Sequence, residues 1–226
     1  MSVLLPVGLG LAVSLVHFFG EELDEYTSRY NLFFVAFSAG FTLAYFFTVL
    51  LPETISQSLL GINNLPVLAG IALFYLLEEA LYEKEGNLGK IKYEFKEIHS
   101  IFISLYHLTI GMIFYLLSKT SNEQLTLFFL PVLIHTAVNS ISTKEMHEKM
   151  IKNTYIKMAV SSSTLIGVIL AAVVQPSQQI LYTLLGILGG SFLYIVIHDA
   201  LNPHRERPIG FITGLTTFLT IIYTLL

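Results

Sequence analysis

Eight stretches of this chain are apolar for long enough to cross a bilayer, and no other property of the sequence narrows its fold so far. A span needs about 20 apolar residues to cover the hydrocarbon. The stretches run approximately Ser2 to Gly20, Asn31 to Leu51, Leu65 to Tyr82, His99 to Ser118, Leu125 to Thr143, Ile156 to Val174, Ile180 to Asp199 and Pro208 to Leu226. With 54% hydrophobic and 12% charged residues and a mean hydropathy of +0.70, the chain is too apolar for a soluble domain of 226 residues. The expected class is therefore an all-α membrane protein with eight transmembrane helices, because barrel strands would be shorter and would alternate. Lipid is the expected solvent and the bilayer the first partner.

Charge and cysteine usage exclude several classes. The net charge of -4 is spread out and no run of Lys or Arg is present, so a nucleic-acid partner has no electrostatic footprint. With no cysteine, neither a disulfide framework nor a thiolate metal site is open to the chain. The first segment, Leu4 to Phe19, lacks a basic leader and reads as a membrane span rather than a cleavable signal.

The basic residues set an orientation. Arg29, then Lys84, Lys90, Lys92 and Lys96, then Lys144, Lys149, Lys152 and Lys157, then Arg205 and Arg207 occupy the odd-numbered loops, against Lys119 alone in the even-numbered ones. The positive-inside rule places the odd loops in the cytoplasm and both termini outside. Losing or adding a span would scramble this alternation, so it also supports the count.

The second and seventh spans share a pattern. Phe37-Ser-Ala-Gly-Phe-Thr-Leu stands against Ile187-Leu-Gly-Gly-Ser-Phe-Leu, with Gly40 and Leu43 matching Gly190 and Leu193 at a constant offset. Each span then closes at a proline, Pro52 or Pro203. Because the two spans run in opposite directions, the duplication implies an inverted repeat in a three-two-three arrangement. Residues 1–82 and 156–226 would flank a central helix pair, 99–143, in one transmembrane domain. Such repeats are a transporter habit, with the solute site near the midplane where they meet.

The central pair carries the deep ionisable residues. His107 and His135 lie at similar depth on antiparallel neighbours, roughly 12 to 15 Å in at 1.5 Å per residue. Asn139, at i+4 from His135, projects from the same helix face and could add a carbonyl oxygen to two imidazoles. An ionisable group inside a span is costly unless paired or solvated, which makes both histidines functional candidates. Equally, a buried histidine can hydrogen-bond a neighbouring helix, and Asn and Ser commonly join helices in membranes. Ser140 and the run Ser161-Ser-Ser-Thr164 supply hydroxyls for a polar path. Glu53 at the outer end of the second span and His198 and Asp199 at the inner end of the seventh would mark the two mouths of a cation route. Glu78, Glu79 and His17 also fall near cytoplasmic span ends, and Glu145, His147 and Glu148 read as a solvated helix end.

These residues resemble a known family. Phe37-Ser-Ala-Gly-Phe-Thr-Leu-Ala, ending in Leu50-Leu-Pro-Glu53, is similar to the second helix of the ZIP zinc/iron permeases. Ser161-Ser-Ser-Thr-Leu-Ile-Gly-Val-Ile-Leu resembles that family's sixth helix and Gly189-Gly-Ser-Phe-Leu-Tyr-Ile-Val-Ile-His-Asp-Ala-Leu its seventh. The resemblance implies eight helices, termini outside, and transport of Zn2+ or a related divalent metal, with a homodimer as the expected assembly. It also shows a rewritten centre. In helix four Tyr106 stands at the family's histidine, His107 at its asparagine and Ile110 at its acid. In helix five His135 keeps the first histidine, while Thr136, Asn139 and Ser140 replace two glutamates and a second histidine, and Thr164 takes a position often acidic in helix six.

The expectation is a non-enzymatic, ZIP-like transporter that moves a divalent metal cation past His107, His135 and Asn139. One alternative is an intramembrane peptidase, because Glu78-Glu79, His107 and His135-x-x-x-Asn139 resemble the motif order of CAAX-protease-like enzymes. Another is a homologue of the ZIP fold that has lost metal transport and moves a different solute or serves as a binding or regulatory protein.

Overall fold

The computed structural model describes residues 3–27, 31–56, 64–85, 91–142, 154–197 and 207–225. Within its helices, the side chains of residues 21–27, 31, 56, 78, 80–85, 91–100, 139–142, 156 and 225 lie outside that description. The described residues form helices joined by short connections, with no strand among them. In order the elements are α1 (Leu4–Thr27), α2 (Asn31–Tyr45), a π-helical turn (Phe46–Leu50) leading straight into α3 (Leu51–Ser56), α4 (Leu65–Glu85), α5 (Ile91–Thr120), α6 (Asn122–Ser142), α7 (Thr154–Val174), α8 (Gln178–Ile195) and α9 (Pro208–Leu225). Among the described residues, four helical segments are long and apolar enough to cross a membrane: Leu32–Ile55, Ile101–Thr120, Lys157–Val174 and Gln178–Ile195. Shorter apolar stretches run over Leu4–Gly20, Leu65–Leu77 and Pro208–Thr224.

Local chemistry explains several boundaries. Only Ser121 separates α5 from α6, and its hydroxyl accepts the backbone N–H of Gln124 at 3.2 Å, which caps the first turn of α6. At the far end of α7, Gln175 takes a left-handed conformation (φ 50) and Pro176 follows, so the helix cannot continue. Pro52, read from the sequence as the end of a span, is instead carried inside a continuous helix that runs on to Ser56. The turn before it widens so that the N–H of Leu51 bonds to the carbonyl of Phe46, and the ring meets no tight α-turn. Val196 and Ile197 open a second π turn at the offset that relates Gly40 to Gly190.

Three pairs of helices touch through facing glycines. A Cβ at Gly40 would overlap the carbonyl of Phe211, and one at Gly214 the carbonyl of Phe37, which fixes α2 against α9. Gly70 and Gly190 stand in the same relation to Ile187 and Val67 and fix α4 against α8. Gly111 against Thr164 and Gly167 against Leu108 fix α5 against α7. Small residues let backbones meet this closely, which is how helices associate where lipid removes the hydrophobic drive. The Ser191 hydroxyl bonds to Ile187 within its own helix at 2.9 Å and reaches the Gly70 carbonyl at 3.5 Å.

The interior is aromatic, with Phe41, Phe114, Phe128, Phe192 and Phe218 all fully buried, whereas Leu68, Leu76, Val173 and Ile209 are more than half exposed on the outside. Exposed aliphatic side chains on so many of the helices suit lipid rather than water.

Candidate functional site

The buried polar side chains among the described residues are serines, threonines and histidines; none is an Asp, Glu, Lys or Arg. His107 on α5 is 5% exposed, and its Nδ1 lies 3.1 Å from Oγ1 of Thr164 on α7, itself fully buried. In the tautomer protonated at Nδ1 the ring donates to Thr164 and leaves the Nε2 lone pair for a ligand. That arrangement, one ring nitrogen tied to an oxygen and the other bare, is how metal-binding histidines are held. His17 of α1 stands edge-on to the same ring, centroids 4.6 Å apart at 84°.

His135 on α6 is equally buried but has different company. Its ring meets Phe192 of α8 edge-on, with 4.8 Å between centroids. Phe192 in turn meets Tyr106, the neighbour of His107, at 5.6 Å. The two histidines therefore reach the same junction from α5 and α6, with the Phe192 ring as an aromatic wedge beside them. Among the described residues no group of three His, Asp or Glu side chains is placed to hold a metal ion.

The remaining expected residues divide clearly. Thr164 serves His107 directly. Ser161 and Ser163 instead bond to carbonyls of their own helix, Lys157 at 2.7 Å and Ala159 at 3.0 Å, so most of that hydroxyl run is self-satisfied. Glu53 sits in the first turn of α3, where the Tyr182 hydroxyl of α8 donates to its Oε1 at 3.3 Å. Glu79 is exposed on α4. The side chains of Glu78, Asn139 and Ser140, and His198, Asp199, Glu145, His147 and Glu148 altogether, lie outside the described residues.

His17, read from the sequence as lying near a span end, was not grouped with the central histidines, yet its ring packs on that of His107. Ser38 and Thr42 of α2 escaped notice as well. Their hydroxyls are buried without a hydrogen-bond partner, and only their i, i+4 spacing on the glycine-bearing helix marked them. No family model matches the chain, and no curated protein matches it.

Proposed function

We propose that this chain is an integral membrane transporter of the eight-span, three-two-three kind with an inverted repeat, moving a metal cation such as Zn2+ through the junction of α5 and α6. The observation that carries this reading is the pattern of helix packing. Exchanging α1 with α7, α2 and α3 with α8, α4 with α9 and α5 with α6 turns the pairings α5–α7, α2–α9 and α2–α6 into α6–α1, α8–α4 and α8–α5, all of which are packed. The pairings α1–α7, α3–α8 and α5–α6 return themselves, and the lesser contacts α1–α5 and α4–α5 are the ones without a counterpart of similar extent among the described residues. The exchanged halves also run in opposite directions: Gly10 meets Val168 while Phe18 lies under Lys157, and Leu50 meets Gly189 while Glu53 meets Tyr182. A polar site at the meeting of inverted halves is where transporters of this build hold their cargo.

In this reading His107 and His135 are the ligands, Asn139 assists, and the basic odd loops face the cytoplasm with both termini outside. Imidazole suits zinc, copper and nickel rather than calcium or magnesium. Zn2+ uptake into proteoliposomes is the test: wild-type protein should accumulate Zn2+ and a His107→Ala/His135→Ala variant should not. Uptake untouched by both substitutions would remove the site.

One observation favours a second reading, in which the same fold moves a solute of low charge. The buried polar set consists of hydroxyls and imidazoles, and an uncompensated divalent charge is costly in low dielectric. Uptake of a neutral or monovalent solute by protein that ignores Zn2+ would establish it.

A further inference from the structure

A serine or threonine inside a helix ordinarily spends its hydroxyl on the carbonyl one turn back. Thr109, Thr183, Thr213 and Thr217 all do so here, at 2.7 to 2.9 Å. Ser38 and Thr42 do not. They are 3% and 2% exposed, and neither hydroxyl has any hydrogen-bond partner. A buried polar group left unmatched is rare, and where one occurs it calls for an explanation such as an ordered water or an ion.

Their placement supplies one. Phe37, Gly40 and Phe41 form the seam with α9, and Ser38 and Thr42 lie one residue further on, about 100° around the helix from Phe37 and Phe41. On that side Tyr45, which also borders Phe218 of α9 at 5.8 Å, meets Phe128 of α6 with 6.2 Å between centroids, and further round the helix Phe46 borders Gly189 of α8. The two hydroxyls, one turn apart on one face, therefore look into the junction of α2, α6 and α8. Stepping seven residues back from Tyr45 reaches Ser38, and seven on from Phe128 reaches His135. With α2 and α6 antiparallel, both steps end at one level, beside the Phe192 that His135 touches.

We infer that Ser38 and Thr42 line a hydrated, cargo-facing surface opposite His135, and that their hydroxyls hold the water shell of a small cation in transit. This rests on the transporter reading. With no buried carboxylate among the described residues, a cation's charge is carried by its own waters and by hydroxyl dipoles that accept it without neutralising it.

Because the chain contains no cysteine, the inference has a background-free test. Ser38→Cys and Thr42→Cys variants in proteoliposomes should react with a charged, membrane-impermeant methanethiosulfonate at least about tenfold faster than Phe41→Cys on the α9 seam, since only a hydrated thiol forms the reactive thiolate. In a second arm, Ser38→Ala/Thr42→Val should leave the unfolding temperature in detergent unchanged or raised while slowing Zn2+ uptake. Labelling no faster than at Phe41→Cys, or a lowered unfolding temperature in the double variant, would overturn the inference. Should wild-type protein take up no Zn2+ while both cysteines label quickly, the metal-transport reading fails and the hydrated surface stands.

Discussion

The glycine seams and the central junction are built on opposite rules. Where α2 meets α9, or α4 meets α8, two backbones touch with no side chain between them, so a single added carbon has nowhere to go. At the junction of α2, α5, α6 and α8 there is room for aromatic rings and for hydroxyls without partners. The seams specify shape and carry almost no chemistry; the junction specifies chemistry and leaves its shape less constrained. A rigid frame around a loosely satisfied polar centre is what a solute site requires, because the frame can hold the centre in place without filling it.

The largest effect should come from breaking a seam. Gly40→Leu forces α2 away from α9 and should cost about 3 kcal/mol, read as a lower unfolding temperature or loss of folded protein in detergent. Gly190→Leu should match it, and a tolerated Gly190→Leu would end the equivalence of the two seams. Next comes the polar link across the junction's wall. Thr164→Val leaves Nδ1 of His107 unpartnered, which should cost about 1–3 kcal/mol and slow Zn2+ uptake, whereas Thr164→Ser should restore both. If Thr164→Val is silent in both assays, His107 is not oriented by Thr164. The smallest effect belongs to the outer end. Tyr182→Phe removes the bond to Glu53, and stability should fall by about 0.6 kcal/mol, the usual worth of an interhelical hydrogen bond in membranes. A drop comparable to that at Gly40 would make this contact part of the frame.

Much of the frame was legible because hydropathy and glycine spacing are local signals. Each apolar stretch corresponds to a helix, and Gly40 and Gly190, singled out as matching positions, prove to sit in matching seams. The ends were less legible. Thr27 closes α1 seven residues past the expected limit because Glu21, Glu22, Asp24 and Glu25 extend the helix while contributing nothing to an apolar pattern. The apolar part of α1 still ends at Gly20, and what the sequence could not show is that the His17 ring packs on His107. Within the candidate site, His107 and His135 drew attention because an imidazole stands out among apolar neighbours, and both are buried. Ser38 and Thr42 were hidden because a membrane helix absorbs most hydroxyls into its own backbone, and nothing in the sequence distinguishes those it does not absorb.

The wide turn at Phe46–Leu50 has a consequence that is best put in terms of codons. The helix from Asn31 to Ser56 contains one residue more than an uninterrupted ladder of hydrogen bonds would use. Deleting one codon within that turn would close the ladder, but it would also set Pro52 inside a regular α-helix, where its ring strikes the carbonyl four residues back at a cost of about 3 kcal/mol. Deleting the same codon together with Pro52→Ala removes that clash. The extra codon and the proline codon thus form a matched pair, since the wide turn is what lets the proline sit inside a continuous helix.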